Sequence, residues 1–429
     1  MNSEDIYVSL DIGTSGVRVI IGDMSGGSLK VMGVGNAPST GLKRGAIVDI
    51  DETVKSIKQA VEEAERMVGL NVEQVVVGVN GNHIDMQFCS GVVAVSGSDR
   101  EIRDEDIERV MDAAQVMPIP PEREIIDVIP TQFIVDGLGE IKDPRGMLGV
   151  RLEMEGTIIT GAKTALHNLL RCVEKAGLGV ADICLQPLAA GTVAISKDEK
   201  ALGVALVDIG GGSTTVSVFQ NGTMQATSVL TIGGDHITND ISVGLRTTME
   251  EAERVKTEHG HAFIDDASDE VSFEMKTIGS EEMEEYTQYE IAHVIEPRME
   301  EIFELAADQV YKLGFSDLPG GFVLTGGTVM IPGVLELARD VWRQNVRMAV
   351  PDYIGVREPK YATGIGLIEF AHQNVKIQNK ETAASVNTAN SLQQPKGSPS
   401  ERKTTQKAEK PDDPGMKSKM KNFFKVFFE

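Results

Sequence analysis

The chain has 429 residues, a net charge of −24, 41% hydrophobic residues and 25% charged residues. This composition is ordinary for a globular protein and excludes a wholly disordered or collagen-like chain. A body this acidic repels phosphate backbones, so we expect no nucleic acid partner. No apolar run reaches the length of a membrane-spanning helix, and the first residues lack a signal-peptide pattern. We therefore expect neither secretion nor a membrane span.

The cysteines and histidines suggest no disulfide framework and no structural metal. The three cysteines, Cys89, Cys172 and Cys184, are an odd number without CxxC spacing, which fits a reducing cytoplasm. His259 and His261 have no nearby cysteine or HExxH pattern. We interpret both histidines as solvated loop residues.

The first predicted elements are three antiparallel strands within about 36 residues. Apolar residues alternate at Ile6, Val8 and Leu10, a Gly-rich turn follows, and two further strands come after it, separated by a second turn. Residues 203–233 repeat this layout, with a hairpin turn at Asn221-Gly222. The chain therefore contains a duplicated β-β-β unit.

Helical patterns follow each unit. In the first copy, apolar residues from Val54 to Val68 recur at helical spacing, and a further strand is predicted at Gln74–Val79. Strands alternating with helices predict an α/β fold. Two copies of the unit predict two similar lobes whose Gly-rich turns face each other across a cleft, where a ligand binds.

Three Gly-rich turns carry the predicted chemistry. The first two follow Asp11 and Asp208, and their backbone N–H groups and hydroxyls form a nest for anions such as phosphates. Each Asp is placed to hold a hydrated Mg²⁺ against them. The third turn follows a strand that begins at Phe322. Taken alone, each motif is equally well an ordinary glycine hairpin. The turn residues are Gly13, Thr14 and Ser15; Gly210, Gly211, Gly212, Ser213 and Thr214; and Gly326, Gly327 and Thr328.

In this order, the motifs resemble those of the actin-like ATPase superfamily over about residues 5–372. In that superfamily an interlobe helix and a second hinge accompany the turns. Residues Cys184–Gly191 are similar to the helix, and residues Pro359–Gly366 are similar to the hinge. The resemblance implies a bilobed actin-like fold that binds ATP or ADP with Mg²⁺.

Within the superfamily, three segments resemble the FtsA family of bacterial cell-division proteins: residues 78–163, residues 235–256 and the Phe/Lys-rich C-terminus. The resemblance implies the following divisions: residues 1–77, 164–200 and 353–375 for the first lobe; 78–163 for an inserted small subdomain; 201–235 and 315–352 for the second lobe; 236–314 for its small acidic subdomain; 376–415 for a flexible linker; and 416–429 for an amphipathic membrane-targeting helix.

The resemblance also implies roles for individual residues. The first two turns hold phosphates, Asp11 and Asp208 lie near Mg²⁺, and the third turn lies near the adenosine. Glu253 and Lys256 contact the ribose or base; their alternative is a solvated i,i+3 pair on an exposed helix. Gln186 positions the attacking water of a slow ATPase, or is a polar residue at a helix end.

The C-terminal segment has the pattern of a helix lying in the membrane interface. Its apolar residues fall on one arc at helical spacing, and lysines flank them. The alternative is docking on the protein's own body or in a partner's groove. The predicted membrane residues are Met416, Met420, Lys421, Phe423, Phe424, Lys425, Phe427 and Phe428.

Residues 236–314 hold 20 Asp and Glu and 6 Lys and Arg, and they resemble the subdomain that receives the FtsZ C-terminal tail. Arg298 is our candidate contact for that tail, with an ion pair to Glu301 or Glu304 as the alternative. We expect an ATP-binding protein that self-assembles and ties FtsZ filaments to the cytoplasmic face of the anionic inner membrane during septum formation. The alternatives are a PilM-like scaffold of pilus assembly and a small-molecule kinase of the same superfamily.

Overall fold

The computed structural model describes residues 5–279, 283–378 and 386–387. Its first elements belong to one lobe and end where the inserted subdomain begins. They are β1 (Ile6–Ile12), β2 (Gly16–Asp23), β3 (Lys30–Pro38), β4 (Leu42–Lys43), β5 (Ala46–Ile47), α1 (Ile50–Val68), β6 (Asn71–Val72) and β7 (Gln74–Val79).

The inserted subdomain is an antiparallel sheet covered by one helix, and the chain then returns to the first lobe. Within the insert lie β8 (Asp85–Ala94), α2 (Asp104–Ala114), β9 (Arg123–Val135), β10 (Leu138–Ile141) and β11 (Arg151–Ala162). The return comprises α3 (Lys163–Lys175), β12 (Gly179–Leu185) and α4 (Gln186–Ala194). The sheet order in the insert is β10-β9-β11-β8. Gly91 lets α2 approach closely, since a Cβ there would lie 2.2 Å from the Val110 carbonyl oxygen.

The remaining elements form the second lobe, apart from the last helix and strand. They are α5 (Lys197–Leu202), β13 (Val204–Ile209), β14 (Thr214–Gln220), β15 (Thr223–Leu230), α6 (Gly234–Gly244), α7 (Met249–His259), β16 (Ser272–Lys276), β17 (Met283–Thr287), α8 (Gln288–Lys312), β18 (Phe322–Thr325), α9 (Val334–Trp342), β19 (Val346–Met348), α10 (Ala362–Gln378) and β20 (Val386–Asn387).

The two lobes contain equivalent five-stranded sheets. The first has the order β12-β7-β1-β2-β3 and the second β19-β18-β13-β14-β15. In each sheet the first three strands in sequence pair antiparallel in succession, the fourth pairs parallel with the first, and the fifth pairs parallel with the fourth. The predicted duplication of a β-β-β unit and the α/β class are therefore confirmed.

Helix α1 shows why the first lobe folds as the sequence predicts. Asp49 caps its N-terminus by accepting a hydrogen bond from the Glu52 N–H at 3.0 Å, and Gly69 ends it in a left-handed conformation with φ of 71°. The apolar residues spaced along α1 face the sheet. Gly35 permits close contact, because a Cβ there would lie 1.8 Å from the Ala60 carbonyl oxygen.

Helices α4 and α10 cross tightly between the lobes. A Cβ at Gly366 in α10 would lie only 1.9 Å from the Ala189 carbonyl oxygen in α4, so the crossing requires glycine. Buried residues of α10, including Ile365 and Ile368, join the core of the first lobe beside Tyr7. The chain therefore returns to its first lobe after completing the second.

Several expectations from the sequence need correction. The interlobe helix begins at Gln186, and Cys184 is still in strand β12. Helix α10 continues to Gln378, so the linker cannot begin at residue 376. His259 is not a solvated loop residue; it ends α7 and stacks on Phe273 with ring centroids 4.6 Å apart.

His261 is also ordered by a contact, since its Nδ1 lies 2.8 Å from the Phe263 carbonyl oxygen. All three cysteines are free and buried. Across residues 5–279, 283–378 and 386–387, the helices are too short or too polar to cross a bilayer. The predicted membrane-targeting helix at 416–429 lies outside the described residues.

Candidate functional site

The first two Gly-rich turns are tight hairpin turns that touch across the interlobe cleft. Gly13 N–H donates to the Gly16 carbonyl at 3.0 Å, and Gly210 N–H donates to that of Ser213 at 2.9 Å. A Cβ at Gly211 would lie 1.7 Å from Ser15 Oγ. The absence of a side chain at Gly211 thus allows the two lobes to meet here, as the duplication predicts.

The turns line a cleft of about 500 Å³ whose walls come from both lobes. Two predicted residues do not line it: Thr214 is buried and donates to the Ile232 carbonyl at 2.8 Å, and Gly212 packs against Thr14. The predicted residues that line the cleft are Asp11, Gly13, Thr14, Ser15, Gln186, Asp208, Gly210, Gly211, Ser213, Glu253, Lys256, Gly326, Gly327 and Thr328.

Two carboxylates, Asp11 and Asp208, form the acidic part of the cleft. Burial, together with the nearby charge of Asp11, raises the pKa of Asp208 to about 6. Burial also raises the pKa of Asp11, although the guanidinium of Arg18 lies 3.5 Å away. Gln186 Nε2 donates to the other Asp11 oxygen at 2.7 Å. Two desolvated acids at one place are a chemically suitable site for a cation.

A hydrated Mg²⁺ needs few protein ligands, and this pair fits that requirement. In the part of the chain that the structure describes, no group of three or more His, Cys, Asp or Glu side chains is arranged to hold a metal directly. The donor set therefore fits an ion held partly through water and phosphate oxygens rather than one enclosed by protein.

The third turn packs onto the second. Gly326 has φ of 99°, and a Cβ there would lie 2.4 Å from Asp208 Oδ1, so both conformation and space require glycine. Thr328 Oγ1 donates to the Gly210 carbonyl at 2.9 Å. The third turn thus helps to fix the acidic pair and the second turn relative to each other.

Lys256 is buried, which contradicts its interpretation as half of a solvated pair. Its Nζ lies 2.6 Å from Glu253 Oε2, 2.8 Å from Thr238 Oγ1 and 3.2 Å from the Gly234 carbonyl oxygen. The ammonium therefore ties α7 to the N-terminal turn of α6. Glu253 remains half exposed toward the cleft. Helical spacing alone could not show that the preceding helix, α6, covers the lysine.

Sequence reasoning missed several residues that line the cleft. The most informative is Arg18 on β2, whose guanidinium nitrogens lie within about 4 Å of where Cβ atoms on Gly13, Gly16 and Gly327 would be. Its signal in the sequence was a single cation among the apolar residues of β2. The other missed residues are Gly16, Asn80, Thr215, Thr257, Met330, Ile331, Pro359, Lys360 and Thr363.

Arg298 lies on α8, outside the cleft. Its Nε donates to Asp240 Oδ2 at 2.6 Å and its Nη2 to Asp240 Oδ1 at 3.1 Å, which joins α8 to α6. Arg298 also pairs with Glu301. An ion pair with Glu301 or Glu304 was the alternative role predicted for Arg298, and the pair with Glu301 is present. The bidentate bond to Asp240 was not predicted.

Comparison with known proteins gives consistent matches. Residues 205–366 match the family described as cell division protein FtsA, and residues 81–160 match the SHS2 domain inserted in FtsA. The chain is 60% identical to cell division protein FtsA of Bacillus subtilis, with 89% of this chain and 87% of that protein covered. It is 41% identical to FtsA of Enterococcus faecalis, with 87% of this chain and 85% of that protein covered.

Solved structures show the same actin-like fold at low sequence identity. A PilM-PilN pilus biogenesis complex has a TM-score of 0.58 at 18% identity, covering 85% of this chain and 98% of that one. ADP-bound MreB5 of Spiroplasma citri has a TM-score of 0.57 at 15% identity, covering 88% of this chain and 100% of that one. The MamK double helical filament has a TM-score of 0.51 at 14% identity, covering 86% of this chain and 98% of that one. The likeness to PilM is one of fold alone.

Proposed function

We propose a function that starts from an established premise: this chain belongs to the FtsA family of cell division proteins. It is an actin-like protein that acts in cell division. We further propose that it binds ATP or ADP with Mg²⁺ between its lobes and self-assembles. On this proposal it holds FtsZ filaments on the cytoplasmic face of the membrane while the septum forms.

The meeting of the Gly-rich turns in one cleft supports nucleotide binding best. Glycine, serine and threonine residues of both turns line the cleft, and turns of this composition suit a phosphate chain. Arg18 adds a fixed positive charge between the first and third turns. The ADP in the MreB5 structure lends support from a protein of the same fold.

Asp11 and Asp208 are the residues proposed to hold Mg²⁺ through water. The bound ion supplies charge neutralisation for the phosphates. Gln186, held by Asp11 at 2.7 Å, is proposed to position water for slow hydrolysis. Glu253 and Lys256, on the opposite lobe from Asp11, are proposed to hold the ribose or base.

The membrane part of the proposal rests on the sequence of residues 416–429. Four lysines alternate there with methionines and phenylalanines. Each basic residue contributes about 1 kcal/mol near an anionic surface, and each buried Phe or Met about 1.5–3 kcal/mol. Single molecules then bind reversibly. Assembly into a filament, for which MamK offers a precedent in this fold, strengthens binding through avidity.

Arg298 is proposed as a contact for the FtsZ tail. Its guanidinium is already bound by Asp240 and Glu301, so an acidic group on the tail shares the arginine with these two residues. The arginine still has further donors, since a guanidinium carries five N–H groups. The proposed contact therefore uses the N–H groups that Asp240 and Glu301 do not engage.

The test is co-sedimentation of purified protein with anionic liposomes and FtsZ, with and without Mg-ATP. The full chain is compared with a chain that ends at Asn387, the last described residue. We expect FtsZ on the liposomes only with the full chain. If the full chain reaches the liposomes and FtsZ does not, the partner is wrong; if the truncated chain binds equally well, the anchor is wrong.

A further inference from the structure

A short hairpin lies beside the first phosphate turn. Its strands β4 and β5 pair Leu42 with Ile47 and Lys43 with Ala46. The two residues between them, Arg44 and Gly45, have φ of 51° and 75°. Two consecutive left-handed residues give the tight turn that suits a two-residue hairpin loop. The tip of this hairpin points its backbone at the phosphate turn, because Gly45 N–H donates to Thr14 Oγ1 at 3.1 Å.

The other side of the same tip contacts the base of the inserted subdomain. Asn82 Nδ2 donates to the Arg44 carbonyl at 3.2 Å. A Cβ at Gly45 would lie 2.6 Å from Asn82 Nδ2 and 2.7 Å from Asn80 Nδ2, so both amides press on this residue. Gly45 is thus held between Thr14 on one side and two asparagines on the other.

Residues 80–82 lead directly from β7 of the first lobe into β8 of the insert. The next residue, His83, has φ of 59°, and its carbonyl accepts from Arg123 Nη2 at 3.1 Å. Arg123 also binds the side chain and the carbonyl of Thr160 at 2.9 and 2.8 Å. Arg123, at the start of β9, therefore joins the chain segment that enters the insert at His83 to the end of β11 at Thr160, where the chain leaves it.

The same base also contacts the second lobe. A Cβ at Gly81 would lie 3.1 Å from Val229 Cγ2 and 3.6 Å from Thr227 Oγ1, both on β15. Asn80 lines the cleft itself. The position of residues 80–82 therefore depends on the phosphate turn, on the hairpin and on the closure of the two lobes.

We propose that the inserted subdomain senses the occupant of the phosphate site through Thr14, Gly45 and Asn82. A Thr14 hydroxyl that accepts from Gly45 N–H keeps its own hydrogen for a phosphate oxygen. A phosphate anion that accepts this hydrogen strengthens the whole chain of hydrogen bonds. The tip of the hairpin then holds Asn82 more firmly, and the base of the insert becomes more ordered. This inference rests on nucleotide binding in the cleft and adds regulation to it.

The test compares the full chain with its Asn82→Ala variant by hydrogen exchange and calorimetry. In the wild type, Mg-ATP slows amide exchange in β8 and β11. One hydrogen bond of ordinary net strength corresponds to a change of about fivefold. In N82A, nucleotide affinity stays within about threefold of the wild type because the side chain does not line the cleft, and the slowing in the insert disappears. Asn71→Ala, an exposed asparagine of the same lobe, serves as control and keeps the slowing.

Asn82→Asp supplies a second variant, which keeps the size of the side chain and removes its N–H donor. Loss of slowing in both variants, with nucleotide still bound, supports the inference. Slowing that persists in both overturns it, and so does a wild type that binds nucleotide without any change in the insert. A loss of affinity beyond tenfold in N82A also overturns it, because Asn82 then acts on binding. If the wild type binds no nucleotide, the proposed function itself fails.

Discussion

Asp208 is a buried carboxyl of the cleft, and burial raises its pKa to about 6. Replacing it with asparagine removes one of the two charges proposed to hold Mg²⁺. We expect the Mg²⁺-dependent part of ATP affinity to fall by about 10–100-fold, the range for loss of a residue that supports a metal site. Calorimetric titration of the protein with ATP, once in Mg²⁺ and once in EDTA, measures the Mg²⁺-dependent part of the affinity.

Two controls make this result specific. Affinity in EDTA should change little in Asp208→Asn, since the phosphate turns remain. Asp23→Asn, at the end of β2, removes an equal charge outside the cleft and should leave both titrations unchanged. Equal loss of affinity with and without Mg²⁺ would show that Asp208 supports the fold of the cleft instead of the ion.

The residues that the sequence did identify are those whose role is local. A glycine turn after an apolar strand is recognisable from a few positions, and the three turns were predicted in this way. Arg18, Asn80 and Lys360 reach the same cleft from elements whose orientation depends on packing between distant segments. The burial of Lys256 depends in the same way on α6, which no local pattern around the lysine shows.

Among the elements, the crossing of α4 and α10 gives the sharpest steric prediction. Gly366→Ala places a methyl group against the Ala189 backbone, where no side chain can rotate away. We expect the free energy of unfolding to fall by about 1–3 kcal/mol, as for other overpacked sites. Gly244→Ala, near the C-terminal end of α6, meets nothing within 4 Å and should be neutral or stabilising. Urea denaturation of the wild type and both variants measures the free energy of unfolding and tests this difference.

The ion pair between α5 and β19 predicts a dependence of stability on pH. Arg347 binds both oxygens of Glu199 at 2.7 Å, and this bonding lowers the pKa of Glu199 from 4.5 to about 2. The pair therefore stabilises the fold above pH 4.5, and its contribution is lost as pH falls toward 2. Arg347→Gln should cost about 1 kcal/mol at pH 7, because both groups are partly solvated.

The measurement is the difference in unfolding free energy between wild type and Arg347→Gln as pH is lowered from 7. We expect this difference to shrink below pH 4.5. Arg357→Gln provides the matched control, since its pair with Asp352 is largely exposed and should contribute almost nothing at any pH. A difference that does not vary with pH would assign the effect of Arg347 to its bond with the Ala194 carbonyl.

At the scale of elements, the sequence was most informative about the two meanders. Their strands alternate regularly and their turns contain glycine, so both sheets could be predicted to begin as they do. The end of the last helix was harder, because Lys376–Gln378 have the composition of a linker and still continue α10. Composition indicates how much apolar surface a segment can bury, but it does not determine where a helix ends. A helix that is already formed can continue into polar residues.

At the scale of the whole molecule, charge is divided unevenly along the chain. Residues 376–429 carry 11 Lys and Arg and 6 Asp and Glu, while the rest of the chain has a net charge of −29. An anionic membrane repels the large body and attracts its C-terminal region. If the proposed membrane binding holds, it depends on where the positive charges lie, because Lys417–Lys425 are next to the apolar residues proposed to enter the interface.

This argument predicts the effect of replacing Lys417, Lys419, Lys421 and Lys425 with glutamine. At about 1 kcal/mol each, the four losses weaken binding to anionic vesicles by up to about 10³-fold, with little effect on neutral vesicles. The matched control replaces Lys396, Lys403, Lys407 and Lys410, which removes the same charge from the preceding segment. Vesicle flotation at several salt concentrations should show a much smaller loss for this control. Equal losses would mean that net charge, rather than the terminal segment, governs attachment.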